Sequence, residues 1–411
     1  MIKYDKFSLD NGLRVIVHQD TSTPIVAVNV IYNVGSRDEN PDKTGFAHLF
    51  EHLMFGGSVN IPKYDEPLQN VGGENNAFTN SDITNYYLTL PKQNIETAFW
   101  LESDRMLNLA FSPKSLDVQR NVVTEEFNQV FLNQPYGDAW LILKPLAYKI
   151  HPYQWSTIGK EISHIENAQM EDVKSFYQKF YNPNNAILVV AGDVKTEDIK
   201  ILANKWFTPI PSGALINRSI LKEPKQTEER KATVERDVPV NAIYKAFHMS
   251  NRLHPDYYAS DLLSDILSNG DSSRLYQKLV KEQKLFMEIN AFLTGDFDEG
   301  LFVVTGKIMN GIDIKKAEKA INKELDLICN NKINESELTK VKNKVESSLI
   351  FSEVNILNKA MNLAYYELLG DANLINLESD LYINVSSEDL RRVANQIFTD
   401  VNSNTLYYLR K

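Results

Sequence analysis

One pattern recurs in the 411-residue chain at an offset of about half its length. An amphipathic helical segment that begins at Glu171 precedes a strand-like apolar run from Asn185, and a segment that begins at Glu388 precedes a similar run from Asn404. Duplication of one unit explains this spacing, although a helix followed by a strand also recurs by chance in mixed proteins. Elsewhere strands and helices alternate irregularly, which predicts an α+β fold rather than a doubly wound sheet.

The length of the chain favours two large domains. Residues 211–227 are rich in Pro, Ser, Gly and Lys and lack hydrophobic periodicity, which is typical of a linker. We therefore expect an N-terminal domain over residues 1–210 and a homologous C-terminal domain over residues 228–411.

Charge and cysteine content exclude several functional classes. The formal net charge is −10 at pH 7, which opposes nonspecific attraction to the phosphates of nucleic acids or to anionic lipids. Cys329 is the single cysteine, so an internal disulfide and a cysteine-based metal site are excluded. No run of roughly 18 apolar residues is present, and the N-terminus lacks the apolar core of a secretory signal. We therefore expect a cytoplasmic protein without nucleic-acid partners or membrane insertion.

Two of the seven histidines, His48 and His52, lie four residues apart with Glu51 between them. On a helix this spacing places both imidazoles on one face, where they can share a zinc ion, and places the carboxylate beside them as a proton acceptor. Random placement predicts only roughly 0.02 such patterns in this chain. The alternative is a surface helix with packing histidines. Apolar neighbours indicate a buried segment and favour the metal site: Leu49, Phe50, Leu53 and Met54.

A catalytic zinc needs a third protein ligand, and Glu126 is the best candidate. Its helical pattern places it on one face with apolar residues: Val122, Val123, Phe127 and Val130. Glu125 is turned away by about 100°. The periodicity leaves two interpretations of Glu126 open, an inward acid that pairs with a cation or an acid at the edge of the apolar stripe. His18, His151 and His164 are weaker candidates, because each lies at an apparent strand end or in a loop without a paired acid.

His-x-x-Glu-His followed by a helical glutamate resembles the inverted zinc motif of the pitrilysin and insulinase superfamily of metallopeptidases. Other segments fall where that family has similar ones: Asn11 to Val15, Gly35-Ser36, Gly72 to Thr79, Asn133 to Gly137 and Asn182 to Asn185. The resemblance covers essentially the whole chain and is nearest in size to the mitochondrial-processing-peptidase-like group. It implies two homologous α/β-sandwich domains that form half of a clamshell chamber.

The resemblance also implies a zinc-dependent endopeptidase of peptides or unfolded polypeptide segments, with one Zn²⁺ per chain. It assigns the zinc ligands to His48, His52 and Glu126, and the water-activating base to Glu51. It further implies that an extended substrate pairs with an edge strand at Asn76, Ala77 and Phe78. The alternative for this strand is an ordinary strand after a Gly-Gly turn. Relatives often carry an acid seven residues before the ligand glutamate, where this chain has Gln119, which can hydrogen-bond but adds no charge.

The C-terminal half departs from the family pattern. Active members often hold substrate with an Arg and a Tyr seven residues apart, and the matching positions here are Val280 and Met287. A realigned Arg274 and Tyr276 could fill the role, although their spacing differs. We therefore expect the catalytic subunit of a heterodimer whose homologous partner supplies the Arg and the Tyr, with a homodimer as a second option.

Two other functions compete with the peptidase. The first is a non-catalytic peptide-binding or assembly subunit, like the related core proteins of respiratory complexes, which typically lack the zinc motif that this chain keeps. The second is a metal-dependent hydrolase of non-peptide substrates, which fits the metal site equally well but does not explain the edge strand.

Overall fold

The computed structural model describes residues 1–411. Its strands are β1 Asp5–Ser8, β2 Arg14–Gln19, β3 Ile25–Tyr32, β4 Glu74–Thr79, β5 Thr84–Pro91, β6 Ala186–Gly192, β7 Arg230–Arg236, β8 Ala242–His248, β9 Phe286–Leu293, β10 Leu301–Ile308 and β11 Ser403–Arg410. Its α-helices are α1 Phe46–Leu53, α2 Asp65–Asn70, α3 Ile95–Leu107, α4 Pro113–Phe127, α5 Ala139–Ala147, α6 Ile162–Glu166, α7 Met170–Phe180, α8 Thr196–Phe207, α9 Asp256–Ser268, α10 Ile314–Asn330, α11 Glu335–Ser352, α12 Ile356–Leu369, α13 Leu374–Ile383 and α14 Ser387–Ile397. None of these helices has both the length and the apolar content needed to cross a membrane.

The strands form two sheets with the same internal order. The N-terminal sheet runs β1-β2-β6-β3-β5-β4 and the C-terminal sheet runs β7-β11-β8-β10-β9. In each sheet one pair is parallel, β2 with β6 and β7 with β11, and every other pair is antiparallel. Apart from β1, each strand of the first sheet has a counterpart at the same position in the second. The structure therefore confirms the α+β fold and the two related domains predicted from the recurring pattern.

The recurrence extends to individual hydrogen bonds. Helix α7 precedes β6 as helix α14 precedes β11, and an asparagine closes each connection. The side-chain amide of Asn185 donates to the carbonyl at the end of α7, at 2.8 Å, and to the carbonyl just after β3, at 3.1 Å. The amide of Asn402 donates to the carbonyl at the end of α14 and to the one at the end of β8, both at 2.9 Å.

The chain divides into two compact units, and each unit combines three segments. The N-terminal unit contains residues 1–127, 155–220 and 350–377, and the C-terminal unit contains 128–154, 221–349 and 378–411. The sequence predicts continuous domains, so the two descriptions differ at 128–154 and 350–377. Helices α5 and α12 account for this difference. Helix α5 lies in the first half of the chain but packs on the C-terminal sheet, and helix α12 lies in the second half but packs on the N-terminal sheet.

Helix α12 covers strands β3 and β6 of the N-terminal sheet. The carboxylate of Glu367, which is buried, pairs with Lys6 at 2.9 Å and with Arg14 at 3.5 Å. Lys359 pairs with Asp20 at 2.6 Å. Strand β6 is buried at every residue, as expected for a strand covered on both faces.

Helix α5 packs on β7, β8 and β11 of the C-terminal sheet through Ala139, Leu143 and Ala147, all of which are buried. Arg230 of β7 donates to the carbonyl of Ala147 at 2.6 Å. The other face of the sheet packs in a second apolar cluster with α9, α10 and α14. Alternate residues of β8 and β10 enter the two clusters, so both faces of this sheet are buried.

Candidate metal centre

Helix α1 presents an apolar face to the core and a polar face away from it. Leu49 and Phe50 are fully buried, which agrees with the burial predicted for this segment. The opposite face carries His48, Glu51 and His52, whose side chains are 13, 18 and 25% exposed. The i, i+4 spacing thus places both imidazoles on the accessible side of a helix that is anchored by its apolar side.

Helix α4 carries the third predicted ligand. Ser112 caps its start by accepting the N–H of Ser115 at 3.0 Å, and Pro113 occupies the first helical position, where proline is favoured. Glu126 lies at the border of the buried face, with 38% of its side chain exposed. The predicted apolar stripe is narrower than expected. Val123 and Phe127 are buried, whereas Val122 and Val130 are exposed at 44 and 39%.

The three predicted ligands meet in the folded chain. Oε2 of Glu126 lies 3.1 Å from Nε2 of His48 and 3.3 Å from Nε2 of His52. The two imidazole rings are nearly perpendicular, with centroids 4.9 Å apart. One ligand atom from each residue lies within 4.8 Å of the other two, so these side chains could hold a metal ion. Two imidazoles and one carboxylate are a donor set that suits zinc and leaves room for a fourth ligand.

The electrostatics of the cluster favour a bound cation. Hydrogen bonds with His48 and then His52 hold the pKa of Glu126 well below its usual range, against the opposing effect of burial. Burial lowers the pKa of His48, but hydrogen bonds with Glu126 and Glu51 outweigh it and raise this pKa to about 9. The carboxylates therefore stay ionised and stabilise positive charge at the imidazoles, which is also where a divalent cation would place its charge.

Glu51 lies beside the cluster. Its Oε2 is 3.7 Å from Nδ1 of His48, on the ring edge opposite the nitrogen that faces Glu126. Burial acts to raise the pKa of Glu51, but a hydrogen bond with His48 prevails and lowers it. Glu51 is thus an ionised carboxylate near neutral pH and can accept a proton without contributing to the three-residue donor set.

The predicted substrate strand is β4, the outermost strand of the N-terminal sheet. It pairs with β5 on one side, and its other edge is unpaired in this chain. Oδ1 of Asn76 accepts the backbone N–H of Ala77 at 2.8 Å, a bond within the strand itself. Phe78 is 39% exposed. An open edge of this kind can accept an extended peptide by backbone hydrogen bonding.

The other candidates lie outside the cluster. Gln119 is half-buried on α4 and makes no hydrogen bond to the ligands. Nδ1 of His18 faces the carbonyl of Lys3, and His164 contacts Thr44. His151 lies 3.4 Å from Asp298, an acid 147 residues later that local sequence did not reveal.

In the C-terminal unit, Val280 and Met287 stand where the family resemblance leads one to expect the Arg and the Tyr that hold substrate. Val280 packs against the apolar core and Met287 of β9 is 56% exposed. The guanidinium of Arg274 makes two hydrogen bonds with the carboxylate of Glu337, at 2.7 and 3.0 Å. Tyr276 lies under the ammonium of Lys281, 5.2 Å from ring centroid to nitrogen. Arg274 is therefore engaged within its own unit.

Sequence reasoning missed Glu39, which contacts the start of α1, and Trp155, which contacts Glu39. Glu39 is buried and accepts hydrogen bonds from the backbone there, and the indole of Trp155 donates to Glu39. The available signal was an acid nine residues before His48 and a glycine, Gly45, where a capping residue would normally stand.

Comparison with known proteins gives one consistent group. The family model described as insulinase, peptidase family M16, matches residues 14–157, and a model described as peptidase M16 inactive domain matches residues 167–345. The chain is 30% identical to the zinc protease PqqE of Helicobacter pylori over 411 residues, which cover 98% of this chain and 92% of that protein. It is 24% identical over 416 residues to the probable mitochondrial-processing peptidase subunit beta of Schizosaccharomyces pombe, covering 97 and 89% of the two chains.

Solved structures give the same result. The crystal structure of a protease from Helicobacter pylori superposes with a TM-score of 0.93 and 30% sequence identity, over 99% of this chain and 100% of that one.

Proposed function

Because this chain belongs to the insulinase family of peptidases, family M16, we propose that it is a zinc-dependent endopeptidase of peptides or unfolded polypeptide segments. The family membership inferred from the sequence motifs is thereby confirmed, and relatives of the chain are named zinc proteases.

The observation that carries the proposal is the meeting of His48, His52 and Glu126 with Glu51 beside them. The first three would hold the zinc ion. When bound, zinc supplies Lewis acidity, which polarises the scissile carbonyl and makes a water molecule more acidic. The non-catalytic assembly role needs none of these four side chains, so their arrangement supports an enzyme.

Glu51 provides the proton transfer. Its ionised carboxylate accepts a proton from the attacking water as the bond between oxygen and the carbonyl carbon forms. It then passes this proton to the leaving amine as the carbon–nitrogen bond breaks. Strand β4, at Asn76, Ala77 and Phe78, orients the substrate by pairing with its backbone, which explains a preference for extended or unfolded segments.

The test is a cleavage assay with an internally quenched fluorescent peptide, together with measurement of bound zinc. Glu51→Gln should retain one zinc per chain and lose at least about 10²-fold in kcat, because it removes the general base. Glu66→Gln on α2 is the matched control, since Glu66 is 61% exposed and lies outside the cluster. Near-normal turnover by Glu51→Gln, or a wild-type chain without zinc, would contradict the proposal.

The C-terminal unit supports a dimer as the active form. Val280 and Met287 replace the Arg and the Tyr that the family resemblance leads one to expect, and Arg274 is engaged by Glu337. A relative is named as a subunit of mitochondrial processing peptidase. We expect a homologous partner chain to supply the missing pair. The alternative is a homodimer, which would work without this pair because a second copy carries the same Val280 and Met287. Light scattering combined with the peptide assay distinguishes the two. Full turnover by a monomer or a homodimer would exclude a required heterologous partner.

A further inference from the structure

Helix α1, which bears the metal ligands, begins without a capping side chain of its own. Gly45 precedes it with a φ of 88°, the left-handed region that favours glycine. A Cβ atom at Gly45 would lie 2.7 Å from the carbonyl oxygen of Ile158. The residues that usually cap a helix, Ser, Thr, Asp and Asn, are therefore excluded at this position. The free N–H groups of the first turn need an acceptor from another part of the chain.

Glu39 is that acceptor. Its Oε2 accepts the N–H of Gly45 at 2.9 Å, and its Oε1 accepts the N–H of Ala47 at 2.8 Å. Nε1 of Trp155 donates to Oε2 of Glu39 at 3.2 Å and to the carbonyl of Ser36 at 2.9 Å. A carboxylate at the start of a helix is also favoured by the helix dipole.

The position of Glu39 has an energetic cost. Glu39 is 7% exposed, and Trp155 above it is 3% exposed. Burial raises the pKa of Glu39 to about 8, while the N–H groups of Ala47, Gly45 and Trp155 act in the opposite direction. A buried carboxyl group is retained only where donors compensate its lost hydration, and two of its three donors belong to the start of one helix.

We propose that Glu39 is a positioning residue for the metal centre, which fixes the first turn of α1 and with it the orientation of His48. His48 directly follows Ala47, so any fraying at Ala47 moves the imidazole away from Glu126. The inference rests on the proposed function insofar as it concerns zinc, whereas the effect on the first turn can be measured without metal.

The experiment compares Glu39→Gln with Glu367→Gln. The first change replaces one carboxylate oxygen by an NH₂ group, which must face an N–H donor, so at least one of the three bonds is lost. The second change also alters a buried, paired glutamate of the same unit, but on α12 and away from α1. Zinc affinity is measured by competition with a chelating indicator, and amide hydrogen exchange is measured at Gly45 and Ala47 in metal-free protein.

Glu39→Gln should weaken zinc binding about tenfold, the lower end of the effect of losing a residue that orients metal ligands. It should also accelerate exchange at Gly45 and Ala47. Glu367→Gln should lower thermal stability and change neither quantity. Unchanged zinc affinity in folded Glu39→Gln, or an equal loss in Glu367→Gln, would overturn the proposal.

A third variant covers the case in which Glu39→Gln does not fold. Glu39→Asp keeps the carboxyl group but is one methylene shorter, so it cannot reach both amides. Weaker zinc binding than wild type supports the proposal, and wild-type affinity overturns it. If the wild-type chain binds no zinc, the proposed function fails, and the exchange rates at Gly45 and Ala47 still decide whether Glu39 holds the first turn.

Discussion

His48 and Glu126 are 78 residues apart in the sequence, and Nε2 of the imidazole lies 3.1 Å from Oε2 of the carboxylate. The same oxygen lies 3.3 Å from Nε2 of His52. One carboxylate oxygen thus faces both imidazoles, and α4 completes a donor set that α1 begins. Replacing this single residue therefore affects the whole centre.

We expect Glu126→Gln to lose zinc. A neutral amide is a weaker ligand than a carboxylate, and it cannot supply the negative charge that balances the cation. Zinc content after dialysis should fall from one per chain to near zero, with loss of peptide cleavage. Glu125→Gln is the matched control on the neighbouring, exposed position of α4, and it should retain both metal and turnover. Zinc retention by Glu126→Gln would exclude Glu126 as a ligand.

Metal removal should be reversible and should lower stability. A ligand that binds only the folded state stabilises it by about 2.7 kcal/mol when present at one hundred times its Kd. Chelated protein should therefore unfold at a lower temperature than zinc-loaded protein, and added zinc should restore both Tm and cleavage. The same addition should leave the Tm of Glu126→Gln unchanged. A rise in that variant would indicate that zinc binds at another site.

Substitution in β4 tests the substrate edge. In the proposed pairing an extended peptide takes over the backbone N–H of Ala77 from the side chain of Asn76. Ala77→Pro removes this donor, and proline is tolerated in edge strands. Because one hydrogen bond contributes about 0.5–1.5 kcal/mol, we expect KM for an extended peptide to rise up to about tenfold. Thermal unfolding serves as the control and should change little. An unaltered KM would favour the alternative that β4 is an ordinary strand.

The pair of Lys359 and Asp20 should make stability depend on pH. A hydrogen bond from Lys359, and then one from Ser22, lowers the pKa of Asp20 in the folded chain. A depressed carboxyl pKa contributes stability above the unfolded value of roughly 3.9, and this contribution is lost as pH falls toward the folded value. Lys359→Met should therefore lower the free energy of unfolding by about 1 kcal/mol at pH 7, and by less below about pH 4.

The matched control for this pair is Lys63→Met. Lys63 is 80% exposed in its pair with Glu66, so the change should stay within about 0.5 kcal/mol at any pH. A pH-independent effect of Lys359→Met would show that packing of the lysine stem, and not the ion pair, is the interaction by which Lys359 stabilises the fold.

The sequence allowed much of the centre to be predicted, because its key spacing is local. His48 and His52 are one helical turn apart, and helix geometry alone places them on the same face. The helical pattern made Glu126 the best candidate for the third ligand, but its assignment needed the family resemblance. Its own periodicity could not exclude an edge position, and Val122 and Val130 are indeed exposed where an apolar stripe predicted burial.

Contacts between distant segments could not be predicted in this way. The role of Glu39 depends on a loop conformation at Gly45 and on Trp155, which is 116 residues away. The partner of His151 is likewise distant in sequence. An apolar helix such as α5 or α12 carries a periodicity that shows it is covered, but that periodicity does not identify the sheet that covers it.

The strands of the N-terminal sheet are synthesised well before α12, the helix that covers them. Strand β6 ends at Gly192 and α12 begins at Ile356, so 163 residues separate this strand of the N-terminal sheet from the helix that covers it. A ribosome that adds about 5–20 residues per second needs roughly 10 to 30 seconds for this interval. During that time the face of the first sheet that α12 covers lacks this helix, and exposed apolar surface of this kind favours aggregation. A fragment that ends at the linker would lack α12 altogether, and this face of the first sheet would stay uncovered.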